Sequence, residues 1–221
     1  MSVLDILVTY HSAFLKGLAV TLQLCAIIWS AGILIGAGLG WAGAHWKRAV
    51  GWPARGLSFV LSGIPILVFL FWLHYPAQAM FDVVIDPFYT AAFTLSIINV
   101  FGVADIVRGA LLDFPQQYVI AAKVTGLSRK QTVFCIELPL ILRQTLPSLL
   151  LLQVAMLHTT LFSSLISVEE IFRVAQRINA QIYRPVEIYT ALGVFFLAVC
   201  LPINGFAFWL RKQFTRNTSE Q

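Results

Sequence analysis

The chain has 221 residues, 59% of them hydrophobic and only 11% charged, with a mean hydropathy of +0.82. Soluble domains run at roughly 45–50% apolar and about 25% charged, so this composition belongs to a lipid bilayer and leaves no room for a separate soluble enzyme domain. The net charge of +5 does not point to nucleic acid, because the basic residues fall in short loops between apolar runs, where topology signals live.

Five apolar segments are long enough to cross a membrane: 15–45, 56–76, 88–112, 144–168 and 187–210. The first ends near Ala42-Gly43-Ala44, which resembles a signal-peptidase site. The run is too long for a signal peptide, however, and its basic pair Lys47-Arg48 follows it instead of preceding it, so a retained helix is expected. Gly32, Gly36 and Gly40 recur at four-residue spacing, with Gly38 between, and the spacing predicts close packing against another helix of the same chain. Cys25, Cys135 and Cys200 are isolated thiols with neither disulfide nor metal spacing, and read as small buried hydrophobes.

In the third segment, Asn99 suits an interhelical hydrogen bond, and Asp105 and Arg108 lie one turn apart as an i,i+3 pair. Between segments three and four the chain turns polar over about 113–139. Pro115 suits a first helical position with Asp113 before it as a cap, and Gly126 suits a left-handed terminator. Ser128 with Gln131 reads as a capping box, and Pro139 and Pro147 bracket the start of segment four. A compact helix–turn–helix is therefore expected over 115–138.

Ionisable groups inside a span invite a functional reading. The candidate is His158 in segment four, with Thr159, Gln153 and Asn99 as further polar groups that could line the same path. Glu169, Glu170, Arg173 and Arg177 beyond segment four read as a solvated face, or as part of a docking surface for a soluble receptor. The tail over 215–221 reads as flexible. Basic residues such as Lys47, Arg48, Arg108, Lys123, Arg129, Lys130 and Arg211 gather on one set of loops. By the positive-inside rule that set faces the cytoplasm, with the N-terminus outside and the C-terminus inside. There is no Gly-rich phosphate loop for ATP, no zinc-ligand spacing and no supported nucleophile–base pair.

The pattern Ala121-Ala122, then Gly126-Leu127-Ser128, then Ile136 and Leu138-Pro139 resembles the EAA loop of ABC-importer permeases. "GLAVTLQLCAI" from Gly17, "SGIPILVFLFWLHY" from Ser62, "LSIINVFGVADIVRGALLDFPQQ" and "ISVEEIFRVAQRINAQIYRPVEIY" are similar to further segments of the polar-amino-acid (histidine, glutamine and arginine type) permeases. Together they cover about 15–212 of the chain.

The resemblance implies an all-α integral-membrane bundle of five spans, one permease domain over 1–214, with the 113–139 loop docking on an ATPase subunit. It implies two ATPase subunits that bind the ATP, no cofactor or metal on this chain and a periplasmic solute-binding protein. It further implies a second permease chain, with a heterodimer favoured, in a bacterial inner membrane. Three departures stand out. Ile120 replaces the loop's leading Glu, Ser62 and Ile64 replace the Arg and Thr of an Arg-Gly-Thr-Pro motif, and His158-Thr159 replaces a Lys-Asp pair. These leave room for a different reading, an accessory scaffold whose partner chain recognises the solute. An intramembrane enzyme lacks any visible nucleophile or metal set.

Overall fold

A computed structural model describes residues 3–219, with side chains over 3–214. The tail expected over 215–221 lies outside the residues whose side chains are described. In chain order the helices are α1 (Val3–Thr9), α2 (His11–His45), α3 (Lys47–Gly63), α4 (Ile66–His74) and α5 (Pro76–Met80). They continue with α6 (Pro87–Leu112), α7 (Gln116–Val124), α8 (Arg129–Ile166), α9 (Ile171–Ile182) and α10 (Pro185–Ser219). Among the described residues no strand is present. Also among the described residues, four helices, α2, α6, α8 and α10, are long and apolar enough to cross a membrane, and the bent pair α3 with α4–α5 makes up to a fifth.

The glycines of α2 set the central contact. A Cβ on Gly32 would stand 2.2 Å from Asn99 Nδ2, and one on Gly36 or Gly40 would stand 2.6 Å from the carbonyl oxygen of Val100 or Ala104. All three partners lie on α6, so the two backbones touch because α2 offers no side chains on that face. Gly38 points elsewhere and meets nothing within 4 Å. A Cβ on Gly51 would lie 2.5 Å from the carbonyl oxygen of Gly43, so the turn from α2 into α3 also closes backbone to backbone. Above this seam Leu24 and Ile28 of α2, Leu70 of α4, Ala91 and Leu95 of α6, and Met156 and Ile166 of α8 form the main buried core. A second cluster gathers Ile6 of α1, Ile171, Val174, Ala175 and Ile178 of α9, and Ile188 and Leu192 of α10.

Cys25 and Cys200 are buried as expected, but Cys135 is exposed. Three further expectations need correction. The second segment, 56–76, is not one straight span: α3 and the stretch Ile66–Met80 meet at 96°. Pro65 has no N–H to continue the ladder, and its ring holds Ile64 in extended backbone (φ −102, ψ 123). The second helix of the expected helix–turn–helix is not a separate piece, because α8 runs unbroken from Arg129 through Ile166. It does so through a wide turn at Val133–Glu137, where the Leu138 N–H donates to the Val133 carbonyl five residues back. That shift of register carries the helix past Pro139. Finally, Asp113 ends α6 instead of capping α7, and Pro115, with ψ 116, sits one position ahead of the first helical residue.

The glycine seam yields a paired test. Gly36→Ala drives a methyl group into a backbone carbonyl that has no rotamer to change, and a cost of about 1–3 kcal/mol is expected. Gly38→Ala meets open space and is expected to be neutral. Thermal unfolding of both variants in the same detergent checks the difference.

Candidate docking segment and interior polar groups

The 113–139 segment is built around a tight helix end. Gly126 adopts φ +77, the left-handed region that disfavours a side chain. Its N–H donates to the Lys123 carbonyl at 3.1 Å, and the Leu127 N–H donates to the Ala122 carbonyl at 3.0 Å. This is the two-bond Schellman arrangement, which uses up carbonyls that the end of α7 would leave free. The next helix starts at once: Ser128 Oγ accepts from the Gln131 N–H, and Gln131 Oε1 accepts from the Ser128 N–H at 2.9 Å. Two adjacent caps therefore fix the angle between α7 and α8.

The sequence pairs Ala121 with Ala122, but the structure separates them: Ala122 is buried and Ala121 is exposed. Ile136 and Pro139 are half-buried, Leu138 is more open, and Leu127 is partly covered. Around the bend, three apolar side chains are left in the open: Ile120 (60% exposed), Val124 (82%) and Phe134 (67%). Arg129 pairs with Glu137 along one edge of this face. Below it, Phe114 of the connection packs with Ala110 of α6 and Ile141 of α8, which anchors the segment to two spans.

The four candidate path residues fall into two groups. Asn99 and Gln153 are buried and face each other. Asn99 Nδ2 donates to Gln153 Oε1 at 3.0 Å and to the Ile28 carbonyl at 2.8 Å, while Gln153 Nε2 donates to Asn99 Oδ1 at 3.3 Å. These bonds tie α2, α6 and α8 together and occupy the polar atoms a solute would need. His158 and Thr159 stand apart from that pair. His158 Nε2 lies 3.3 Å from Cys200 Sγ on α10, and Thr159 Oγ1 donates to the Met156 carbonyl at 2.8 Å. Asp105 accepts from Arg108 at 2.7 Å, and also from Ser58 of α3, so the expected pair is also a bond between two helices.

Glu170 is the residue that the sequence reading misplaced. It is fully buried, not part of a solvated face. Its carboxylate caps α9, accepting from the N–H of Phe172 at 2.9 Å and of Arg173 at 2.7 Å. The adjoining Ile171 N–H donates to Thr21 Oγ1 of α2 at 3.1 Å, which docks the start of α9 on the first span. Glu169 behaves as expected, half-exposed and paired with Arg177 at 2.9 Å. The missed signal was positional. Glu170 directly precedes the apolar series Ile171, Val174, Ala175 and Ile178, which is where a helix cap belongs. Burial pushes its carboxyl up to about 7, against the two backbone donors that pull it down and with a further upward push from Glu169.

The family described as "Binding-protein-dependent transport system inner membrane component" matches residues 32–216, most of the chain and all but the first part of α2 among the spans. The chain belongs to this family. Its relatives include the glutamine transport system permease protein GlnP of Escherichia coli (strain K12), 31% identical over 86% of this chain and 87% of that one. The octopine transport system permease protein OccM of Rhizobium radiobacter is 27% identical over 94% of this chain and 91% of its own. The histidine/lysine/arginine/ornithine transport system permease protein HisQ of Salmonella typhimurium is 24% identical, covering 93% and 95%. In fold the chain is similar to a crystal structure of an amino acid ABC transporter with histidines, at a TM-score of 0.83 and 22% identity, covering 96% and 99%. An inward-facing structure of the MetNI methionine ABC transporter follows at a TM-score of 0.70 and 16% identity. The match fits a multi-pass membrane component of a binding-protein-dependent transport system.

The Glu170 cap gives a pH dependence of known sign. Below the ordinary carboxyl value of 4.5 both folded and unfolded chains hold the proton. As pH rises from there to about 7, the unfolded chain releases it first, so the stability advantage of the protonated cap is lost across that window. Thermal unfolding of the wild type relative to Glu170→Gln should therefore fall between these limits and level off above them. A difference that stays flat with pH would refute the assignment.

Proposed function

We propose that this chain is the membrane-spanning subunit of an ATP-driven importer that moves a polar amino acid, or a solute like one, delivered by a periplasmic binding protein. The relatives named for glutamine, octopine and basic amino acids support that solute class. The chain lies in a bacterial inner membrane with its N-terminus outside and its C-terminus inside, as the distribution of Lys and Arg favours. ATP binds on two partner ATPase subunits, which seat on the 113–139 segment from the cytoplasmic side. A second permease chain, in a heterodimer by preference, completes the path.

The observation that carries the docking role is the Gly126 bend, held by caps on both sides and flanked by the exposed Ile120, Val124 and Phe134. Apolar side chains around a rigid turn form a surface suited to a protein groove. Ile120 stands where the family motif carries a glutamate, so this edge offers apolar contact in place of charge. Closure of the ATPase pair on ATP shifts the docked segment, and a state with the path open outward becomes favoured only because the partners bind that state more tightly.

A second reading keeps the same architecture but places solute recognition in the partner permease. It is favoured by Asn99 and Gln153, whose polar atoms are already bonded to each other.

Replacing Gly126 with Val places a β-branched residue at φ +77, a strain of about 1–3 kcal/mol. ATP-dependent uptake of labelled glutamine, histidine or arginine into vesicles holding the full complex should drop, while membrane insertion is unchanged. Gly126→Asn, which tolerates the left-handed region, should retain more uptake. Wild-type uptake by Gly126→Val would overturn the docking role.

A further inference from the structure

The turn from α2 into α3 carries charge that nothing on this chain balances. Lys47, Arg48 and Arg55 are all exposed, and no Asp or Glu occurs between Asp5 and Asp82. Among the described residues none of the three makes an ion pair. The arginines at the C-terminal side of α9 differ: Arg177 pairs with Glu169, and Arg184 with Glu187.

Aromatic rings accompany these cations. Trp41 packs on His45 and on the edge of Trp46, with ring centroids 4.6 and 5.7 Å away. Trp52, Arg55 and Phe59 follow on α3 at spacings of three and four, so they share one face of that helix. Trp41, Trp46, Trp52 and Phe59 are all exposed. Further along α3, Leu57 and Val60 are exposed on other sides, and no residue of Trp52–Gly63 is buried. A helix that is apolar on several sides beyond a basic end fits a surround of lipid, since a protein groove would need only one apolar face.

The turn lies at the end of the bundle that carries the docking segment. A Cβ on Gly43 would stand 3.5 Å from Arg108 Cδ, about one turn before α6 ends at Leu112 and the chain enters 113–139. Resting on the proposed orientation of this end toward the cytoplasm, we propose that Lys47, Arg48 and Arg55 bind the phosphodiester headgroup of an anionic phospholipid from the inner leaflet. Guanidinium and ammonium groups pair well with phosphate oxygens. The exposed indoles stand at the depth of the headgroups, and Phe59 lies along an acyl chain. A second copy of this chain would bring the same three cations and be repelled, so charge selects the lipid. The bound headgroup holds the α2–α3 turn at the membrane surface, beside the segment where the ATPase seats.

The test is a lipid titration of the assembled, delipidated transporter in a neutral detergent, read by native mass spectrometry. Dioleoyl-phosphatidylglycerol should bind the wild type several times more tightly than dioleoyl-phosphatidylcholine, which has the same acyl chains. Arg55→Gln should cut that preference about five-fold, the scale of one cation at an anionic surface, and Arg55→Lys should keep most of it. Equal affinity of the wild type for the two lipids would overturn the proposal without recourse to any variant. So would a preference left unchanged both by Arg55→Gln and by Lys47→Gln with Arg48→Gln, which would place the lipid elsewhere in the complex. Loss of the preference in inorganic phosphate, but not in sodium chloride of equal ionic strength, would assign the cations to a free anion and overturn it too. Titration in detergent depends neither on orientation nor on transport, and ATP-dependent uptake by vesicles holding the same complex tests the transport reading separately.

Discussion

The bundle depends on how closely α2 approaches α6. The glycines of α2 remove the side chains that would hold the two helices apart, and the gap is then narrow enough for Asn99 to reach the carbonyl of Ile28 across it. The same amide turns to Gln153 on α8, so one buried side chain joins three spans. In lipid such bonds matter because no water competes for the partners, yet each polar atom must find one. Close approach and polar closure are thus a single constraint. A larger residue at Gly32 would collide with the amide that ties the bundle together.

Much of this was legible in the sequence, because membrane proteins encode spans in composition and helix contacts in small residues. The four-residue glycine spacing led directly to the α2–α6 seam, and Ser128 with Gln131 marked the start of α8 in the register observed. The left-handed bend at Gly126 was readable because few residues besides glycine tolerate it.

What was not legible depended on tertiary context. A hydropathy window counts apolar residues and is blind to direction, so 56–76 read as one span although Ile64 and Pro65 turn it sharply. The proline at 139 looked like a boundary, yet a wide helical turn absorbs it. Glu170 looked solvated beside Glu169 because adjacent acidic residues resemble a polar face, whereas the start of α9 turns one inward as a cap and leaves the other outside. An interhelical hydrogen bond from Asn99 was expected, but its partners, Gln153 and the Ile28 carbonyl, are set by the packing of three helices, which takes both amides off the list of open path groups.

The length of α8 has a mechanical consequence. It extends over 38 residues, from the edge of the Gly126 bend to Ile166 near the α9 cap. At 1.5 Å per residue that is a lever arm of about 57 Å, so a tilt of about 5° at one end sweeps the other through about 5 Å. A small rotation at the solvent-exposed bend is thereby magnified into a displacement the size of a side chain at the opposite face.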